Sequence, residues 1–375
     1  MRGVSRYDNY NSTNFVVLSK RLKTLSPKHL KVSPFISAEP LIISVNRNSA
    51  IESIHEVDIA LCDAEANTLF GMGNYQGEIF PRSAMKPLQA IALIELLNKT
   101  NKQNSFTTAE IALICASHNG EEFHTKAVKS LLAKFEINYE ELVCGAHWSL
   151  EQESLVEQVR TFEQPDKTHN NCSGKHAGMI ILAKLLTGRS KNYAEINHQA
   201  QQLIKRKLEI MTGENLLEYV MGIDGCGAPV YRAPLKSWAR AFAMFAGGGE
   251  LPVNIRETCC KIRQSIANNS YTIAGKNRAC SAINKTYGEA ITAKVGAEGV
   301  YSAAFHGSQL GLMLKARDGS KRGAEVALGA IFKIMGFPIS EDVEPYFRPQ
   351  ILNWAGSKVG DITIENLPNF YGNNK

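Results

Sequence analysis

Apolar and polar residues alternate through "LIISVN" (41–46) and "VDIALCD" (57–63), and again through "TLFGMG" (68–73) after the turn-like "AEAN". That period of two predicts antiparallel strands at the start of the folded chain. The period becomes helical in "MKPLQAIALIELL" (85–97), where Pro87 is tolerable because it falls in the first turn. A capping box, Thr107-x-x-Glu110, opens "TTAEIALICAS", which breaks at "HNG" before helical spacing resumes in "EEFHTKAVKSLLAKF". Further helices are predicted at "SLEQESLVEQVRTF", "SGKHAGMIILAKLL", "AEINHQAQQLIKRKLEIM", "WARAFAMFA" and "VNIRETCCKIRQSIAN". Near the C-terminus the period of two returns in "AITAKVG", "GVYSAAF" and "GLMLKARDG", followed by a closing helix, "KRGAEVALGAIFKIM".

Strands at both ends with helices between them predict an α+β fold: an antiparallel sheet built from the N- and C-terminal parts, packed helices, and an all-α lobe. The chain divides into a basic, disordered extension at 1–40, a main domain at 41–338 with a helical insert at about 100–270, and a C-terminal tail at 339–375.

Of the 375 residues, 44% are hydrophobic and 21% charged, which suffices to bury a sizeable core. The net charge of +6 is concentrated at the start, where seven Lys/Arg among residues 1–40 face only Asp8 and Glu39. No predicted helix carries a basic stripe, so a nucleic-acid partner is not expected. The basic, acid-poor start reads as a disordered tail, with an organellar import segment as the alternative. It lacks the apolar core of a secretory signal, and no later stretch reaches ~18 uninterrupted apolar residues, so the expectation is a cytoplasmic protein without a membrane partner. Eight cysteines without a CxxC pair favour reduced thiols.

Candidate chemistry begins with Ser83-x-x-Lys86 in "FPRSAMKPLQ". A Ser-x-x-Lys pair turns up by chance roughly once in a chain this long, and Ser83 would serve equally as a helix cap. At helical spacing the two side chains share a face, which permits a nucleophile and its base. The lysine must then lose ~3 units of pKa, which calls for burial or a second cation nearby. Two further elements follow in the order known for Ser-x-x-Lys hydrolases: Ser117-x-Asn119 at a helix break, and Lys294-x-Gly296 on a strand. Together they give Ser83 as nucleophile, Lys86 as proton acceptor, and Ser117 with Lys294 as a relay to the leaving amine. A second polar cluster lies in "NNCSGKHAGM" and "GIDGCGAP". Cys172, Cys226 and an imidazole could hold zinc, yet they lack the paired spacing of structural zinc sites. His118, His124, His147 and His176 stand singly on apolar or loop segments and are assigned no catalytic work.

Seven ordered blocks, "FPRSAMKPLQAIAL", "ASHNGEEFH", "CGAHW", "NNCSGKHAGM", "GIDGCGAPVYRAPL", "KVGAEGVYSAAF" and the Asp-Gly of "LKARDGSKRGAE", resemble the L-asparaginase II family, the rhizobial, serine-dependent asparaginases. The likeness covers about residues 41 to 338. It implies hydrolysis of L-asparagine to L-aspartate and ammonia, on a fold similar to serine β-lactamases and penicillin-binding proteins, in a homodimer without an organic cofactor. It further implies two Ser-Lys pairs, Ser83 with Lys86 and Ser117 with Lys294, and a zinc site of Cys172, Lys175 and Cys226 beside them. Asparagine carries both charges, so Arg82, Asn119, Asp224 and Glu298 are the expected substrate contacts, Arg82 and the lysines for the carboxylate and Asp224 or Glu298 for the ammonium. A serine-dependent glutaminase or other amidase, a β-lactam-interacting hydrolase, or a catalytically weakened binding homologue are the alternatives. The chain departs from the family pattern at "AGKNRACS" (274–281), where Cys280 stands at a usually acidic position.

Overall fold

The alternating segments form strands that join both ends of the chain. The computed structural model describes residues 34–100, 105–161 and 164–368, so most of the basic extension lies outside the described residues. In chain order the strands are β1 (Phe35–Ser37), β2 (Leu41–Arg47), β3 (Ala50–Cys62), β4 (Thr68–Met72), β5 (Glu78–Ile79), β6 (Met221–Ile223), β7 (Pro229–Tyr231), β8 (Ala233–Pro234), β9 (Ile291–Gly296), β10 (Val300–Phe305), β11 (Leu310–Ala316), β12 (Ile351–Leu352) and β13 (Lys358–Ile364). The main sheet runs β12-β13-β2-β3-β11-β10-β9, with β4 also on β3 and β1 beside β4. Its ladders are antiparallel except for β1 against β4.

The helices are α1 (Lys86–Lys99), α2 (Thr108–Ile114), α3 (Glu122–Ala133), α4 (Gln152–Arg160), α5 (Ser173–Thr187), α6 (Gln199–Thr212), α7 (Leu235–Ala246), α8 (Val253–Asn268), α9 (Ala279–Tyr287), α10 (Lys321–Ile334) and α11 (Glu344–Phe347). Helices α7 and α10 cover opposite faces of the sheet. Gly311 of β11 meets the α7 backbone so closely that a Cβ there would run into the Ala239 carbonyl. Gly311 pairs with Cys62 of β3, whereas His55, seven residues earlier and therefore on the other face, lies against Gly323 of α10. The sheet is thus a buried middle layer, and the fold is α+β.

Helix α1 is apolar nearly all round, the pattern of a central helix, and it is buried by α5, α6 and α8 in the helical lobe. Its N-terminus emerges where the lobe meets the sheet, because β9 packs against the 3-10 turn Arg82–Met85 that precedes it. At that contact a Cβ on Gly296 would lie 2.5 Å from the Pro81 carbonyl oxygen, so only glycine lets the two elements approach.

Three features differ from the expectations. The segment read as a tail supplies β13, which pairs with β2 from Asp361↔Asn46 to Ile364↔Ile43 and so belongs to the sheet. Its alternation, "KVGDITI", is diluted by Gly and Asp on a mostly exposed strand, so the sequence signal was weak. The last residues of the extension form β1, while residues 1–33 lie outside those described. Helix α9 was missed because its nine residues, "ACSAINKTY", mix polar groups into a short apolar face.

Candidate active site

Ser83 sits in the 3-10 turn that feeds α1. Arg82, immediately before it, has φ of +51°, a left-handed conformation that costs a non-glycine residue ~1–3 kcal/mol. Neither the turn nor α1 has a side-chain cap, so Ser83 does not serve as one. Its hydroxyl is half-buried and makes no hydrogen bond among the described residues.

No hydrogen bond joins the side chain of Ser83 to that of Lys86, whose amine is taken up by other oxygens. Lys86, 1% exposed, donates to the Ala116 carbonyl at 2.6 Å, to Ser117 Oγ at 2.8 Å and to the Asn171 carbonyl at 3.4 Å. Three acceptors match the three N–H bonds of an ammonium. Ser117 is fixed in the loop after α2 as an extended stretch, with the Ser117 N–H on the Ile273 carbonyl, His118 N–H on the Asn171 carbonyl and Asn119 N–H on the Ala274 carbonyl. From the sheet side, Lys294 of β9 brings Nζ to 2.8 Å from Ser117 Oγ and 2.9 Å from the Val295 carbonyl.

Lys294 has no exposed surface. Burial pushes its amine down to about 7, partly opposed by Cys280 and reinforced by Lys86 and Arg278. A neutral amine has two N–H bonds and a lone pair, so Ser117 can accept from Lys86 and hand its own proton toward Lys294. Lys86, Ser117 and Lys294 thus form a continuous hydrogen-bonded chain, and the Ser83 hydroxyl, three residues before Lys86, is free of hydrogen bonds among the described residues.

The second cluster adjoins the first. Cys172 and Lys175 open α5, and the β6–β7 turn carries Asp224 and Cys226. Lys175 Nζ lies 2.9 Å from Cys226 Sγ, and Cys172 lies close enough to Cys226 and Lys86 for both to act on its thiol. The hydrogen bond with Cys226 holds the Cys172 thiol well below its usual value, against its burial and with help from Lys86 and Lys175. Lys175 is raised: burial would lower it, but Cys172, Cys226 and Asp224 outweigh that. Two sulfurs and an amine therefore converge in one buried spot, a donor set that fits a tetrahedral zinc with one open position if the lysine yields its proton to the metal. Among the described residues no three His, Cys, Asp or Glu side chains gather for a metal, so a site here would need the lysine as its third donor.

Of the expected substrate contacts, Arg82 and Asp224 meet each other, Nε to Oδ1 at 2.7 Å. Burial alone would raise the Asp224 carboxyl, but Lys175 and Arg82 hold it below the usual range. Asn119 is taken up by contacts within the protein. It has no exposed surface, its amide nitrogen donates to Glu121 and the Lys276 carbonyl, and its oxygen accepts from Arg278 at 2.6 Å, so its groups tie down the 274–278 loop and leave nothing for a substrate. Glu298 stands exposed on the turn after β9 and lines a pocket of about 530 Å³ with Arg278 and Lys321, to which Ser83, Ser117 and Lys86 do not contribute.

The four histidines make no hydrogen bond to Ser83, Ser117, Lys86 or Lys294. His118 bonds Ser173, His176 bonds Tyr193, and His147 accepts from the Asn171 N–H at 2.8 Å. His124 stacks on His118 with ring centroids 4.6 Å apart. Sequence reasoning missed the backbone acceptors Ala116 and Asn171, which carry no residue-type signal. It also missed Asn284, whose spacing of four from Cys280 on one helix was a usable cue.

The L-asparaginase II family matches residues 43–364. No curated protein matches the chain. Among solved structures, a Bacillus subtilis glutaminase in covalent complex with 5-oxo-L-norleucine is 12% identical at a TM-score of 0.34, covering 76% of this chain and 88% of that one. A probable glutaminase from Bacillus subtilis complexed with 6-diazo-5-oxo-L-norleucine gives the same identity and TM-score over 91% of this chain and 100% of that one. Likenesses this slight decide nothing about chemistry. The family match spans most of the 375 residues, from β2 to the end of β13, and includes every residue of the two clusters, so the chain belongs to the L-asparaginase II family of amide hydrolases.

Proposed function

We propose that the protein hydrolyses L-asparagine to L-aspartate and ammonia, with Ser83 as nucleophile and Lys86, Ser117 and Lys294 as its proton path. The carrying observation is the meeting of two lysine amines from separate elements on Ser117 Oγ, each at 2.8 Å, one of them from Lys86, three residues after the unengaged Ser83. Lys86 passes a proton to Ser117 while Ser117 passes its own to Lys294. The amine of Lys86, now neutral, takes the proton of Ser83 as Oγ attacks the carboxamide carbon. A backbone N–H of the turn that leads into α1 would stabilise the developing oxyanion; those of Ala84 and Lys86 are already bonded to the Pro81 and Ser83 carbonyls, which leaves that of Ser83. The same path returns a proton to the nitrogen, the C–N bond breaks, and ammonia leaves an aspartyl ester on Ser83 that water hydrolyses.

Arg82 and Asp224 fit the two charges of an amino acid, whose carboxylate and ammonium would replace their mutual ion pair. Glutamine is longer by one methylene, a difference worth only ~1–3 kcal/mol in a pocket wall. Ammonia release should therefore be compared for both amides; kcat/KM for asparagine is expected to exceed that for glutamine by roughly ten- to two-hundredfold. A higher value for glutamine would replace the substrate while keeping the chemistry.

Cys172, Lys175 and Cys226 are the residues that would hold zinc. Bound there, the ion would supply Lewis-acid attraction for a substrate oxygen or nitrogen rather than a nucleophile, which Ser83 already provides. Metal analysis should find about one zinc per chain, lost in Cys172→Ser with the fold retained by circular dichroism. Wild-type protein purified with zinc present yet free of metal would remove the ion from this scheme.

A further inference from the structure

Strand β9, which delivers Lys294, is the last strand of the main sheet. Its outer edge would expose unpaired backbone groups in the core of the site, and helix α9 covers it. Asn284, with no exposed surface, donates from Nδ2 to the Ala293 carbonyl at 2.9 Å and accepts from the Ala293 N–H through Oδ1 at 3.1 Å. Its amide thereby stands in for a neighbouring strand. One helical turn earlier, Cys280 Sγ accepts from the Val295 N–H at 3.2 Å and touches the Tyr301 hydroxyl at 3.1 Å. Tyr301 is the β10 residue directly opposite Val295, so the sulfur holds both strands of that pair. Lys294 lies between the two anchored residues. Its own backbone faces β10, where Ser302 Oγ donates to the Lys294 carbonyl at 3.1 Å.

We propose that Cys280 and Asn284 are positioning residues for the reaction: together they clasp the edge of β9 and so set where the Lys294 amine meets Ser117. Neither touches substrate. The clasp rests on the assignment of Lys294 to the proton path. Cys280 has a second consequence for that path, because it places a sulfur where a carboxylate would favour the charged amine. The ionisable groups facing Lys294 are Cys280 from α9, Arg278 at its N-cap, Lys86 from α1 and Cys172 at the start of α5. An added negative charge at 280 acts with Cys172 and against the two cations.

Cys280→Ala, Cys280→Ser and Cys280→Asp separate the clasp from simple packing. The alanine variant is expected to lose ten- to a hundredfold in kcat with KM little changed, since a displaced reacting group costs rate more than binding. Serine, which keeps an acceptor, should restore most of the loss. Aspartate should move the neutral inflection of the pH–rate profile upward by about one unit. Hydrogen exchange over residues 291–296, read by mass spectrometry, should rise in Cys280→Ala whether or not the protein turns over asparagine. Unchanged exchange overturns the clasp. Raised exchange with wild-type kcat and pH profile shows a purely structural contact and overturns the positioning role. Inactive wild-type protein would count against the proposed reaction, with the exchange result still deciding the clasp. Should Asn284→Ala fail to fold, the Cys280 series stands alone.

Discussion

Ser83→Ala is expected to lower kcat by roughly 10³ to 10⁶, the range seen when a nucleophile is removed and only binding and oxyanion stabilisation remain. The protein should lose almost no stability. Ser83 caps neither the 3-10 turn nor α1, and its hydroxyl has no hydrogen bond to lose among the described residues. A substitution free of such contacts falls within about 0.5 kcal/mol of neutral. A structural cap would show the reverse, about 1 kcal/mol of stability lost and activity kept. Ser117→Ala is the necessary comparison, because Ser117 is the hydroxyl already bonded to both amines. With 3% exposure it is poorly placed to meet a carbonyl carbon, whereas Ser83 is half-buried and free. Ammonia release and thermal melts of the two variants decide the matter. Wild-type turnover in Ser83→Ala with none in Ser117→Ala would hand the nucleophile's role to Ser117.

The sequence made the site's membership legible and its wiring much less so. Ser83, Lys86, Ser117 and Lys294 carry side-chain types at spacings that only a few chemistries explain, and three of the four do converge. Which partner each takes depends on burial and on backbone carbonyls. Lys86 turns from Ser83 toward the oxygens of Ala116, Ser117 and Asn171, none of which could be placed before the fold was known. Asn119 reads as a polar residue in a site loop, but its partners at Glu121, Lys276 and Arg278 make it a brace for the loop opposite. The strands that line the core were visible through their period of two, because one-sided or complete burial demands apolar residues at fixed positions. Strand β13 was not, since an edge strand with mostly exposed residues is held by backbone pairing to β2, which places little demand on side-chain type.

Lys294→Met should give an enzyme that is both inactive and more stable. Methionine fills a similar volume without a charge, so the sheet packing around a fully buried position is kept. What is lost is the acceptor at the end of the proton path. Lys86 then cannot give up its proton through Ser117, and kcat is expected to fall by about 10²- to 10⁴-fold, the usual worth of a general base. The stability effect follows from the same burial. With the folded amine at about 7 and an unfolded lysine near 10.5, the unfolded chain binds more protons between those values, so wild-type stability rises with pH from about 7 to 10.5. Below about 7 the cost is complete, on the order of 5 kcal/mol. Losing the bonds to Ser117 and the Val295 carbonyl returns about 1 kcal/mol each. The variant should therefore gain on the order of 2 kcal/mol at neutral pH and melt a few degrees higher, with the gap closing near pH ~9 and reversing above it, where only the lost bonds count. Wild-type kcat/KM should rise with pH through about 7 as Lys294 becomes neutral, and the residual rate of the variant should lack that rise. A Lys294→Met protein with wild-type turnover would remove Lys294 from the path, and a melting difference that stays constant from pH 7 to 10 would mean the amine is not held neutral by its burial.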